Sequence, residues 1–157
     1  MDNKEVIQKF YSAFKEGDSE SMIKLYDDDI IFTDPAFGTL KGENAKAMWK
    51  MLLSNKDSKA QVTFSNISST ENSGNASWTA SYNYGPKSRK VVNHVNAKFE
   101  FKNGKISKHT DDFNLWKWTQ QALGTSGYLL GWSSFMKKKI QAETEKKLNT
   151  YINSTNQ

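Results

Sequence analysis

The first third of the chain repeats its apolar residues at helical spacing. Val6, Phe10, Ala13 and Phe14 predict an amphipathic helix over residues 3 to 16. Gly17 suits its C-terminal cap, and Asp18 or Ser19 the N-cap of a second short helix carrying Met22, Ile23, Leu25 and Tyr26. "DIIFTD" reads as a strand closed by Pro35, which has no amide hydrogen to donate, and "PAFGTLKG" as a turn and short hairpin. Residues 43 to 53 place Ala45, Met48, Trp49 and Leu52 on one helical face.

From Lys59 the period changes to two. "QVTF" alternates, and Ile67 falls out of phase with Phe64, which predicts a bulge. After an "NSG" turn, "ASWTASYNYG" sets Trp78, Ala80, Tyr82 and Tyr84 against Ser77, Thr79, Ser81 and Asn83. "PKSRK" is a loop, "VVNHVNAKFEF" a long strand, "KNGK" a hairpin turn and "ISKHTDDFNLW" the returning strand. Helical spacing resumes in "LWKWTQQALG", ending at Gly124. "GYLLGW" is a connection, and Met136, Ile140, Thr144, Leu148 and Ile152 mark one stripe of a final helix. Helices, then antiparallel hairpins, then helices make an α+β plan: a curved antiparallel sheet with helices on one face. No repeat or linker divides it, and 157 residues suit one domain.

Composition adds a ligand-sized possibility. Five Trp, six Tyr and nine Phe fill a small core or line a cavity. The absence of cysteine excludes disulfides and thiolate chemistry. The polar N-terminus and the lack of a long apolar run predict a cytoplasmic protein without stable membrane insertion, so the sequons at Asn66, Asn75 and Asn153 read as chance. The net charge of +5 is uneven: nine Lys/Arg against twelve Asp/Glu through Thr79, thirteen against five after it. The later lysines are scattered and no nucleic-acid motif accompanies them, so a solvated surface is expected rather than a nucleic-acid partner.

Three places carry candidate chemistry. Asp34 precedes Pro35 at a strand end among Ile31, Phe32 and Phe37; apolar surroundings would raise its pKa and make it a general base, or Asp-Pro simply starts a turn. In "HTDDF", His109, Asp111 and Phe113 share one strand face, where the His and the first Asp would lie side by side, either as a working pair or as a polar pair at a strand end. On the long strand, Val91, Asn93, Val95, Ala97, Phe99 and Phe101 form the more apolar face. His94, Asn96 and Lys98 lie on the other, which meets water or a wet pocket. Gly124, Gly127 and Gly131 lack the Lys-Ser/Thr of a phosphate loop, and two His without Cys argue against a transition-metal site. No cofactor is expected.

"FYSAFKEGDSESMIKLYDDDIIFTDPAFGTLKGENAKAMW" and "VNAKFEFKNGKISKHTDDFNLWKW" resemble the SnoaL-like and ketosteroid isomerase-like branch of the nuclear transport factor 2-like superfamily. The resemblance implies a cone of curved sheet over roughly residues 1 to 116, with the N-terminal helices on its concave face, a deep pocket, and a homodimer. It makes residues 117 to 153 a helical extension, whose stripe should cover the cone mouth or a dimer mate. Leu129, Leu130 and Trp132 beside Lys137, Lys138 and Lys139 suggest a lesser, membrane-surface alternative. By the same resemblance the ketosteroid isomerase base falls on Asp34, the acid or base of cyclase-like relatives on Asp111, and the isomerase hydrogen-bond donors on Phe10 and Asn96. Phe10 has no proton to donate, and the strand bearing His94, Asn96 and Lys98 lacks the Arg of an epoxide hydrolase set. The expected protein binds a small apolar molecule, either as an acid–base enzyme of isomerase, cyclase or hydrolase type or as a non-catalytic binding module. Asp34, Asp111 and His109 would be catalytic, and Phe10, Phe37, Trp49, Trp78, Tyr82, His94, Asn96 and Phe113 would contact the ligand.

Overall fold

The computed structural model describes residues 1–55, 59–125, 127 and 133–156. Helix α1 (Asn3–Glu16) opens with a capping box: Asp2 accepts from the Glu5 amide and Glu5 reaches back to the Asp2 amide. It ends at Gly17, whose left-handed φ of 76° turns the chain into α2 (Ser19–Ile23), capped by Asp18. The second helix stops sooner than expected. Tyr26 is not its last residue but the first of β1 (Tyr26–Asp34), where it shares the inward phase of Ile30 and Phe32.

β2 (Gly38–Lys41) folds back on β1, and α3 (Glu43–Leu52) follows with Ala45, Met48 and Trp49 buried. β3 (Gln61–Ser69), β4 (Ser73–Tyr84), β5 (Arg89–Lys102) and β6 (Lys105–Asp112) complete a six-stranded sheet in the order β2-β1-β6-β5-β4-β3. The bulge in β3 lies between Ser65 and Ser68, with Asn66 at a φ of 54°. The turn before β4 comes slightly earlier than "NSG", because Ser73 and Gly74 already pair with β5. One pairing departs from an all-antiparallel sheet: β1 runs parallel to β6. β1 and β6 belong to opposite ends of the chain order, so no hairpin fixes their relative direction.

The core sits between α1, α3 and the concave face of the sheet, where Phe10, Tyr11, Phe32, Trp49, Phe99 and Ile106 are buried. α1 lies close enough to β4 that a Cβ on Gly74 would come within 2.5 Å of the Ile7 Cδ1 atom. β6 ends at Asp112 because Asn114 caps α4 (Leu115–Leu123), accepting from the Lys117 amide. That leaves the edge of β5 uncovered at Val92. The Gln121 side chain of α4 takes the missing strand's place, accepting from the Val92 amide at 2.8 Å and donating to its carbonyl at 3.2 Å.

The last helix, α5 (Ser134–Thr155), buries Met136, Ile140 and Leu148. It is fastened to the Asp-Pro turn: Thr144 Oγ1 donates to the Ala36 carbonyl at 2.8 Å and Gln141 Nε2 to the Pro35 carbonyl at 3.1 Å. Leu129, Leu130 and Trp132 lie outside the described residues, and no helix among those described is long and apolar enough to cross a membrane. Gly74→Ala should lower stability by about 1–3 kcal/mol through overpacking against α1. Urea unfolding measures this, and an unchanged midpoint would show that α1 yields without cost.

Candidate active site

The curl of the sheet leaves a cavity of about 690 Å³ between its concave face, α3, α4 and α5. That is room for one organic molecule of moderate size. Asp34 reaches it from the end of β1, Trp78 and Tyr82 from β4, Asp111 from β6, and Met136, Ile140 and Thr144 from α5. Phe37, Trp49 and Phe113 complete the set of expected residues that line it.

Asp34 starts the turn after Pro35, and it also lines the cavity. Its Oδ1 accepts from the Ala36 amide at 2.9 Å and from the Phe37 amide at 2.5 Å, which ties the turn after Pro35. Its Oδ2 has no hydrogen-bond partner among the described residues, and the residue lines the cavity. Burial pushes the carboxyl up to about 7; the nearby negative charge of Asp111 adds to the rise, while the Phe37 and Ala36 amides oppose it. Asp34 therefore titrates near neutrality.

Asp111 is buried on the neighbouring strand, where the β1–β6 register that pairs Thr33 with Thr110 brings it beside Asp34, and its Oδ1 carries two contacts. The His109 Nε2 atom lies 2.8 Å away, and Trp78 Nε1 donates at 3.3 Å. Behind His109 the chain continues inward: the Tyr26 hydroxyl lies 2.8 Å from His109 Nδ1, and Trp49 Nε1 donates to that hydroxyl at 2.8 Å. Burial holds the Tyr26 phenol well above its ordinary pKa, with the Trp49 hydrogen bond opposing. Phe10, Phe32 and Phe99 surround the His109 ring.

Four expected site residues lie elsewhere. His109 is fully buried and does not reach the cavity, so it touches Asp111 rather than a ligand. Phe10 is a core residue whose ring packs on Tyr26, Trp49 and His109, because its helical face points at the sheet below the cavity. His94 and Asn96 are exposed on the outer face of β5, in register with Thr79 and Ser77 of β4, to whose hydroxyls they are hydrogen bonded. The inward phase of β5 belongs to Val91, Val95, Ala97 and Phe99, and to Asn93, which lines the cavity. Tyr11, beside Phe10, is also buried away from the cavity, and its hydroxyl has no hydrogen-bond partner among the described residues. No donor set of the ketosteroid isomerase kind therefore forms on Phe10 and Asn96.

Sequence reasoning missed Asn93, Trp118 and Tyr26. Trp118 Nε1 donates to the Tyr82 hydroxyl at 2.8 Å, closing one side of the cavity. The two-residue phase linking Tyr26 to Phe32 and Asp34 was the available signal for Tyr26. Among the described residues no group of three His, Asp or Glu side chains could hold a metal ion.

A family model, the SnoaL-like domain, matches residues 7–109. The chain belongs to the SnoaL-like family. A candidate polyketide cyclase from Pseudomonas putida shares its fold with a TM-score of 0.64 at 20% identity, covering 78% of this chain and 98% of that one. An LEH-like epoxide hydrolase from M. tuberculosis gives 0.63 at 17% identity, covering 80% and 90%. A protein with a ketosteroid isomerase-like fold from Catenulispora acidiphila, in complex with trimethylamine, gives 0.62 at 13% identity, covering 75% and 92%. Comparison with curated protein sequences gives no match. The matched segment takes in β1 to β5 and the first part of β6.

The raised pKa of Asp34 has a consequence for stability. Its folded value of about 7 exceeds the unfolded value of about 3.9, so its stabilising contribution is complete below about pH 4 and is lost as pH rises through 7. In Asp34→Asn the amide oxygen still accepts from Ala36 and Phe37, and no charge is buried. The variant should therefore gain about 1–3 kcal/mol relative to the parent between pH 4 and pH 8. Urea unfolding at both pH values measures the difference, and a pH-independent one would mean that Asp34 titrates as an ordinary carboxylate.

Proposed function

We propose that this SnoaL-like protein is a cofactor-independent acid–base enzyme acting on a small apolar molecule with a carbonyl or similar polarised group. The observation that carries the reading is the meeting of Asp34 and Asp111 in one aromatic-lined cavity, each with Oδ1 occupied and Oδ2 available. Two carboxyl groups in different environments divide acid from base. Asp111, its Oδ1 held by two N–H groups, is placed to take a proton from carbon. Asp34, near neutrality in its titration, gives its proton to the developing oxyanion. Transfer in the reverse sense, to the same or another carbon, restores both groups. Isomerisation, cyclisation and hydrolysis all draw on such a pair. The cyclase and hydrolase relatives of the same fold support the class without naming the substrate.

A second reading, a non-catalytic binding module, is favoured by one observation: no hydrogen-bond donor for an oxyanion stands at Phe10 or Asn96. The homodimer and cytoplasmic location expected from the sequence belong to this proposal, and sedimentation analysis tests the first.

A panel of apolar cyclic ketones and enones in D₂O separates the two readings. Ligands are found by thermal shift, and carbon-bound deuterium is read by mass spectrometry. The parent should exchange a bound ligand. Asp111→Asn should still bind it but exchange about 10²–10⁴-fold more slowly. Binding without exchange in the parent, or undiminished exchange in Asp111→Asn, would contradict the enzyme reading.

A further inference from the structure

The hydrogen-bonded chain behind Asp111 has a direction, and its direction follows from one donor-only group. Trp49 Nε1 can only donate, so the Tyr26 oxygen accepts from it. The single Tyr26 proton then has one nearby acceptor, His109 Nδ1 at 2.8 Å. A nitrogen that accepts carries no hydrogen. The ring proton of neutral His109 is therefore on Nε2, where it points at Asp111 Oδ1, 2.8 Å away. Every polar atom of the chain is satisfied in this arrangement alone. With a proton also on Nδ1, the buried Tyr26 hydroxyl would have to accept twice and its own hydrogen would have no acceptor. With the proton on Nδ1 only, the Nε2 lone pair would face a carboxylate oxygen at hydrogen-bond distance, and the contact would be repulsive.

We infer that Tyr26, oriented by Trp49, is a positioning residue that locks His109 in its Nε2–H form and so fixes which oxygen of Asp111 meets the ligand. The inference rests on the reading of Asp111 as the base. It assigns a part to Tyr26, which is not in the cavity lining and does not contact the carboxylate, and to the Nε1–H of Trp49. His109 Nε2–H and Trp78 Nε1–H both occupy Oδ1, which holds the carboxylate plane and leaves Oδ2 toward the cavity. The surroundings reinforce the lock. The His109 ring is stacked at 15° on Trp49 and enclosed by Phe10, Phe32 and Phe99, so it has no water to exchange partners with and little room to turn over. A histidine that merely filled core volume would need no tautomer preference.

Long-range ¹H–¹⁵N spectra of the protein labelled at histidine test this without any ligand. The His109 signals are assigned by their loss in His109→Gln. In the parent, Nδ1 should resonate as an unprotonated ring nitrogen and Nε2 as a protonated one, in a single population. An Nδ1–H form, a doubly protonated ring or a mixture in the parent would overturn the inference. In Tyr26→Phe the Asp111 carboxylate still holds the hydrogen on Nε2, but Nδ1 loses its donor, so the Nδ1 signal should shift toward that of an unbonded, unprotonated ring nitrogen. A folded Tyr26→Phe in which the Nδ1 signal does not move would overturn the role of Tyr26. The parent spectrum decides even if that variant fails to fold. Because the readout needs no turnover, a wrong tautomer leaves the Asp34–Asp111 enzyme reading standing, whereas absent deuterium exchange with the right tautomer removes that reading and not the lock.

Discussion

A carboxylate taken out of water must find donors, and Asp111 is the carboxylate around which this fold is arranged. The period of β6 turns His109 and Asp111 to the concave side, among phenyl and indole rings. An unpaired charge there would cost several kcal/mol. Two N–H groups meet one of its oxygens, and the more deeply placed of them is itself braced by Tyr26 and Trp49. The donors come from β4, β6, β1 and α3, so the same contacts that accommodate the charge also join the sheet to its covering helix.

The charge on Asp111 then shapes its neighbour on β1. Asp34 is held by its own turn, and burial together with the neighbouring carboxylate keeps its proton on to near neutral pH. α5 bears on this directly. Its Thr144 and Gln141 grip the carbonyls of Ala36 and Pro35, so the helix that roofs the cavity also fixes the turn presenting Asp34.

The regular parts of this molecule were legible in the sequence for simple reasons. Strands β4 and β5 alternate cleanly, α1 carries its caps in the residues flanking it, and the bulge in β3 shows as a slip in phase. Tyr26 was not legible, because its spacing from Met22 imitates one helical turn and hid its place at the head of β1. The parallel pairing of β1 with β6 depends on contacts between distant segments that no local pattern records. For the site, a strand-ending Asp-Pro and an inward Asp111 stood out, and so did the aromatics of β4. His94 and His109 each sit on an alternating strand, and only the three-dimensional sheet shows that the first is outside and the second sealed within. Asn93 lay on the apolar phase and was passed over, although a lone amide on such a face is a polar handle inside the cavity.

The coupling of the two carboxyl groups is open to one direct measurement, a carboxyl ¹³C titration of Asp34 in the parent protein and in Asp111→Asn. A midpoint near 7 in the parent that moves down once the Asp111 charge is removed is the result expected from their shared cavity. An Asp34 midpoint at the ordinary value of about 4, the same in both proteins, would contradict the account.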